Sequence, residues 1–185
     1  MLSLQDKTDL SLPDAASTAS DPLGLTPPKA DNRKRFLRFS LSHEHDALLP
    51  LEHIIEVMQL PRKDILPVPD MPRCILGICS WQGEILWLVD LNHLVGCKSL
   101  YQQTHLSKTS SAVVVRHNGI TLGLVVEKVI DIDLLDDSTV HMDSSLYPSK
   151  LEPFAVGHYL QPDGILLSVS AIVNASQLHA HSEPL

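Results

Sequence analysis

The 185-residue chain has only three cysteines, an aromatic content of 4%, and 14 basic against 22 acidic side chains. An odd number of cysteines without a secretory signal does not indicate a disulfide framework. The formal charge of −8 argues against a nonspecific nucleic-acid binder, because neutralising a phosphate backbone requires a basic face. We therefore expect neither a disulfide-stabilised scaffold nor a nucleic-acid partner.

Long apolar runs are also missing. None approaches the ~20 residues that a transmembrane helix requires. The start of the chain lacks the basic and apolar segments of a secretory signal. We expect a cytoplasmic protein that makes no direct contact with a membrane.

Catalytic motifs do not occur either. No serine occupies a Gly-x-Ser-x-Gly turn, and there is neither a phosphate loop nor a dinucleotide-binding fingerprint. The chain has ten histidines, but the close pairs His43/His45 and His179/His181 lack further ligands at the spacing that zinc requires. The sequence thus predicts a protein that is not an enzyme and uses no metal or cofactor.

What the chain does contain is many short apolar runs separated by turn signals. Asn118-Gly119, between two β-branched runs, is a strong hairpin signal. The pattern is typical of an all-β barrel or sandwich, and periodicity alone does not choose between them. Strands are predicted at residues 36–41, 47–51, 54–60, 75–81, 85–89, 112–116, 120–126, 128–134, 154–160 and 165–169.

The remaining segments are predicted from their composition. Residues 1–32 are rich in Ser, Thr, Asp, Ala and Pro, which predicts a disordered leader before a folded unit at 33–178. Residues 61–72 hold four prolines and are expected to form a rigid loop. Residues 96–109 resemble a linker, 136–150 an irregular polar stretch, and 168–178 a closing helix. Residues 179–185 are expected to be a loose tail.

An acidic cluster at residues 131–137 superficially suggests a cation site. It lacks the glycine and terminal glutamate of a calcium loop. Alternation along Asp131-Ile132-Asp133 predicts that both carboxylates lie on the outer, solvated face of a strand.

The stretch from residue 75 to residue 96 is the most informative. Two apolar runs flank a tight turn at Gln82-Gly83, where glycine supplies the required backbone freedom. Asp90 is placed to accept hydrogen bonds from the first amides of a short helix at 91–95. Trp81, beside the turn, fits a buried core position and an interface position equally well. The arrangement favours a docking module over an enzyme.

This stretch resembles the CheW family of chemotaxis adaptors. Gly77 matches the family's first glycine, residues 80–83 (SWQG) match its Asn-Leu-Arg-Gly turn, and residues 89–91 match its Val-Asp-Leu. Further matches at 35–41, 52–57 and 122–132 extend the resemblance from about Arg35 to about Leu178. The family's turn arginine is replaced by Gln82. The resemblance implies two small five-stranded SH3-like β-barrels that share a core, with short helices and a first strand that crosses between the barrels.

The resemblance also implies a function and a set of contact residues. The protein would be a non-catalytic adaptor that couples a methyl-accepting chemotaxis receptor to the regulatory domain of a CheA-like histidine kinase. The family's kinase contacts fall on Ile54, Glu56 and Gly77. Its receptor contacts fall on Gln82, Ala112, Val129 and Ile132, and we add Trp81 because it adjoins the turn.

Two alternatives stay open. Because Gln82 replaces the turn arginine, the protein could be a diverged relative that binds a kinase but no receptor. A small barrel could also bind single-stranded nucleic acid, although low aromatic content and net acidity count against that function.

Overall fold

The computed structural model describes residues 33–41, 45–100 and 109–178. The α-helices in these ranges are α1 (Leu91–Leu94) and α2 (Val169–Val173), and short 3-10 turns connect several strands. The strands are β1 (Arg33–Ser40), β2 (Asp46–Pro50), β3 (Ile54–Pro61), β4 (Ile75–Trp81), β5 (Glu84–Asp90), β6 (Thr109–His117), β7 (Ile120–Val126), β8 (Lys128–Asp136), β9 (Ala155–Leu160) and β10 (Asp163–Leu167). The leader and tail predicted at 1–32 and 179–185 lie outside these ranges.

The strands form two five-stranded sheets, which confirms the all-β fold class. One sheet has the order β8-β1-β2-β10-β9 and the other β3-β6-β7-β5-β4. The first strand was expected to cross between the barrels, but in the described part of the chain β1 pairs only with β2 and β8 of its own sheet. The chain instead passes from one sheet to the other between β2 and β3, and returns between β7 and β8.

The two sheets repeat one design. Strands β8, β9, β10, β1 and β2 correspond in order to β3, β4, β5, β6 and β7, and the β10–β2 and β5–β7 pairs are both parallel. The amide of Asp90 donates to the carbonyl of Cys74 at 2.8 Å, and the amide of Ser168 donates to that of Phe154 at 2.8 Å. Asp90 and Ser168 each cap the helix that follows. They are therefore counterparts.

Each sheet is closed into a barrel by a segment that bridges its edge strands. After β3 and a 3-10 turn, Leu66 pairs with Ile78 of β4; after β8 and a similar turn, His141 pairs with His158 of β9. We call the β1-containing barrel the first and the β3-containing barrel the second. Parts of the segments 61–72 and 136–150 thus belong to the barrels and are not simply a loop or an irregular stretch.

Glycines permit these close passages. Gly77 and Gly157 each immediately precede the bridged residue of their strand. A side chain at Gly77 would collide with the Leu66 carbonyl, and one at Gly157 with Val140. Gly77 also has a φ of +138°, which disfavours any other residue.

A shared core joins the barrels. Leu37 and Leu49 from the first sheet pack with Val113 and Leu124 from the second in one buried cluster. Each barrel also encloses its own cluster. The packing confirms the expectation of two barrels around a common core.

The predicted closing helix at 168–178 is too long. Helix α2 ends at Val173, and a 3-10 turn follows at Ser176–Leu178. The Asn174 side chain donates to the Ser170 carbonyl at 2.8 Å. The helical pattern ends at the next residue, where the Ala175 amide donates to the Ile172 carbonyl at 3.2 Å, a 3-10-type bond in place of one to Ala171.

Candidate interaction site

The hairpin turn between β4 and β5 is the first part of the candidate site. Gln82 and Gly83 have φ values of +49° and +83°, as a two-residue hairpin turn of type I′ requires. Glu56 Oε2 accepts hydrogen bonds from Trp81 Nε1 at 2.9 Å and from Gln82 Nε2 at 3.1 Å. The structure thus brings one expected kinase residue and two expected receptor residues into a single cluster.

This cluster also closes the second barrel. Glu56 lies on β3 and Trp81 on β4, and these are the two edge strands of the sheet. Trp81 is only 7% exposed and packs in the barrel's core. The sequence was equally compatible with a core position and an interface position for Trp81, and in the structure Trp81 occupies the core position. Its buried indole N–H has the Glu56 carboxylate as partner, as a buried donor requires.

Two apolar stripes form the second part of the site. Ile55 and Val57 of β3 are exposed, and so are Ile130, Ile132 and Leu134 of β8. These two strands occupy corresponding edges in their barrels. We call the two sets the β3 stripe and the β8 stripe.

Both stripes extend the shared core onto the surface. Val57 pairs with Val113 and Ile132 pairs with Leu37, and the side chains of Val113 and Leu37 belong to that core. Strand β8 also contacts β6, the neighbour of β3. Both stripes therefore lie at the junction between the barrels.

The expected contact residues differ in accessibility. Ile132 is 53% exposed. Ile54 and Val129 are half-buried against the shared core. Ala112 is fully buried, and Gly77 is buried beside the segment that carries Leu66.

Sequence reasoning missed Ile55, Val57, Ile130 and Leu134. Apolar residues occur on both faces of β3, so the alternation of apolar and polar residues does not predict which face of this strand is buried. The position of each stripe beside the shared core becomes visible only when the sheets are assembled.

The prediction for the acidic cluster was wrong in part. Asp131 is exposed, but Asp133 Oδ2 lies 2.9 Å from Arg38 Nε, and the Asp133 side chain is 16% exposed. Asp133 sits opposite Phe36, whose ring is in the first barrel's interior, whereas Ile132 sits opposite Leu37 of the shared core. The solvated-face assignment therefore holds for Asp131 and fails for Asp133, which has an ionic partner that its local sequence does not reveal.

The part of the chain that the structure describes holds neither a metal-ligand cluster nor a membrane-spanning helix. Across 33–41, 45–100 and 109–178, no three His, Cys, Asp or Glu side chains converge as a metal ligand set. None of the helices in the same ranges has the length and apolar character needed to cross a bilayer. Cys74, Cys79 and Cys97 are free thiols, and burial raises the pKa of each.

Two barrels with apolar edge strands at their junction define a protein-interaction module. Comparison with known proteins agrees with this class. A family described as CheW-like domain matches residues 35–180. The fold is similar to the crystal structure of the scaffolding protein TtCheW from Thermoanaerobacter tengcongensis, with a TM-score of 0.64 and 23% identity, over 78% of this chain and 95% of that one. A search of curated proteins gave no match.

The family match spans most of the chain, so the protein belongs to the CheW-like family. Members of this family are non-catalytic scaffolding adaptors of chemotaxis. The chain is accordingly a chemotaxis scaffold and not an enzyme.

Proposed function

We propose that this scaffold couples a methyl-accepting receptor tip to the regulatory domain of a CheA-like histidine kinase in the cytoplasm. The observation that supports this most is the pair of exposed apolar stripes, one on each barrel. Two separate apolar edges allow one rigid protein to hold two partners at once. Apolar area at such edges supplies affinity, and surrounding charges select the partner.

The kinase contact is proposed on the second barrel, at Ile54, Glu56 and Gly77. The exposed Ile55 and Val57 would supply the apolar area there. Ile54 packs inward, Glu56 holds the turn, and Gly77 permits the close passage of the chain at Leu66. These three residues would therefore act mainly by shaping the surface that the β3 stripe presents.

The receptor contact is proposed at Trp81, Gln82, Ala112, Val129 and Ile132. Ile132 would touch the receptor directly, with the rest of the β8 stripe beside it. Trp81 and Ala112 are buried and would contribute by fixing the strands that carry the contact. Gln82 is exposed at the turn and would offer its amide.

One observation favours the kinase-only alternative. The side-chain amide of Gln82 already donates to Glu56 at 3.1 Å, so one of its two N–H groups is engaged. A neutral amide also lacks the charge-assisted bonds that an arginine can make. The family assignment, in turn, disfavours the nucleic-acid binder.

Reconstitution tests the proposal. A CheA-like kinase, a receptor-tip fragment and the chain are mixed, and kinase autophosphorylation is followed with each component omitted in turn. We expect receptor-dependent kinase output only when the chain is present. The Ile132→Asp variant should lose this dependence, while Ile85→Asp, at a 70% exposed position on β5, should keep it. Kinase binding without any receptor response by the unmodified chain would favour the kinase-only alternative instead.

A further inference from the structure

The two barrels differ at one end. In the second barrel the chain folds back after α1, and Leu100 is fully buried in the barrel's core cluster together with Ala112 and Val125. Asp90 Oδ2 accepts hydrogen bonds from Ser99 Oγ at 2.7 Å and from the Leu100 amide at 3.0 Å. A leucine of the chain itself therefore closes this end of the barrel.

The internal repeat identifies the same place in the first barrel. Val125 pairs with Asp90 and with Ala112. Pro50 pairs with Phe36 and, when the β2–β10 register is continued, lies opposite Ser168. The three residues around Leu100 are Ala112, Val125 and Asp90. Their counterparts in the first barrel are, in the same order, Phe36, Pro50 and Ser168.

All three counterparts line an open cleft of about 360 Å³. Val140 and Leu166 are further apolar lining residues, and the exposed Met142 and Val156 also line it. Phe36 is larger than its counterpart Ala112 and takes up part of the space, yet the cleft remains. The place that Leu100 fills in one barrel is therefore an open, largely apolar cleft in the other.

The rim of this cleft carries charge. Lys34 Nζ lies 2.6 Å from Asp137 Oδ2, and both residues line the cleft together with His53. Lys34 also lines an adjoining cleft of about 330 Å³ with Arg35 and Glu52. Lys34 is thus the cation that this cleft presents, because the side chain of the next residue of β1, Arg35, projects to the opposite face of the strand.

We propose that the open end of the first barrel binds a leucine-like side chain of a separate peptide partner, with a carboxylate of that peptide beside Lys34. In the second barrel the carboxylate that anchors the leucine segment belongs to the barrel, at Asp90. In the first barrel its counterpart is the neutral Ser168, whose Oγ already accepts from the Ala171 amide at 3.1 Å. At this end the first barrel presents the Lys34 ammonium, which can donate to a carboxylate of the peptide. None of the cleft residues belongs to the β3 or β8 stripe, so the site is separate from the proposed kinase and receptor contacts.

The test uses the full chain with labelled methyl groups and three small probes in an NMR titration. The probes are N-acetyl-L-leucine, its N-methylamide, and N-acetyl-L-alanine. N-acetyl-L-leucine should shift the Met142, Val156 and Leu166 methyl signals in a saturable way. The alanine probe should bind at least about tenfold more weakly, because it buries three fewer carbons. The methylamide should bind a few-fold more weakly, a modest loss because Lys34 already has Asp137 as partner.

Matched variants locate the binding. Val156→Trp should fill the cleft and abolish the shifts at Met142 and Leu166, whereas Leu160→Trp, on the same strand but outside the cleft, should leave them unchanged. Lys34→Gln should remove the difference between N-acetyl-L-leucine and its methylamide. Equal shifts with the leucine and alanine probes, or binding that survives in Val156→Trp, would overturn the proposal. Cleft methyl signals that respond to no probe but change with protein concentration or on removal of residues 179–185 would also overturn it, because the occupant would then be the chain itself.

Discussion

Glu56 on β3 accepts a hydrogen bond of 2.9 Å from the indole Nε1 of Trp81 at the end of β4. The two residues are 25 positions apart in the sequence, and they meet because the two edge strands of the second barrel close on each other. The same carboxylate oxygen accepts from Gln82. The hairpin turn is therefore fixed to the neighbouring strand by one side chain.

Replacing Glu56 should destabilise the fold. Glu56→Ala leaves the buried indole N–H of Trp81 without a partner, which costs on the order of 1–3 kcal/mol. Glu56→Gln keeps an acceptor oxygen but loses the charge, so a smaller loss is expected. Urea denaturation of the three proteins measures the free energies of unfolding. If Glu56→Ala were as stable as the unmodified chain, the bond would have no structural role.

Restoring the family's arginine should strengthen the same contact. Gln82→Arg places a guanidinium beside the Glu56 carboxylate at an exposed position, where an ion pair contributes about 0.2–1 kcal/mol. The gain should shrink as salt is added, because exposed charges are screened. Unfolding curves at low and high salt measure it, with Gln82→Met as the uncharged control. A gain that is the same at both salt concentrations would mean that the arginine acts through something other than Glu56.

The glycine beside the barrel closure should not tolerate a side chain. Gly77→Ala combines a positive φ with a collision against the Leu66 carbonyl, so we expect a loss of several kcal/mol or a failure to fold. Gly83→Ala is the control, since a side chain there meets no atom within 4 Å, and only the backbone strain of about 1–2 kcal/mol remains. Thermal unfolding compares them. Similar melting temperatures for the two variants would show that Leu66 can move aside.

Leu100 should be a major contributor to the second barrel. Leu100→Ala removes a fully buried side chain, and such changes cost about 2–5 kcal/mol. Met142→Ala is the matched control at the open cleft of the first barrel. Because Met142 is 72% exposed, Met142→Ala should lower the free energy of unfolding much less than Leu100→Ala does. Urea denaturation gives both values, and a comparable loss for the two variants would contradict the assignment of Leu100 as the residue that closes its barrel.

The local signals in the sequence predicted local structure well. Asn118-Gly119 forms a turn with φ values of +48° and +81°, as its residues favour. Asp90 caps α1 by accepting from the His93 amide at 3.1 Å. In both cases the residues that decide the structure are neighbours in the chain.

Contacts between distant strands were the features that could not be predicted. Asp133 was assigned to a solvated face because its partner, Arg38, lies on another strand. The structural repeat of the two barrels does not show as a repeat along the sequence, because the first barrel combines strands from both ends of the described chain. Its open end, and the exposed stripes beside the shared core, follow from that assembly and not from any one segment.

The central claim is that one scaffold holds two partners through two different edges, and a binding experiment with two variants tests it most directly. Val57→Asp on the β3 stripe and Ile132→Asp on the β8 stripe are titrated against a kinase regulatory domain and a receptor-tip fragment, after circular dichroism confirms that both variants fold. The account predicts that Val57→Asp weakens kinase binding, Ile132→Asp weakens receptor binding, and each leaves the other partner's affinity within about twofold. A substitution at a central contact should cost roughly 2 kcal/mol, or about thirtyfold in affinity. Full affinity of both folded variants for both partners would contradict the account.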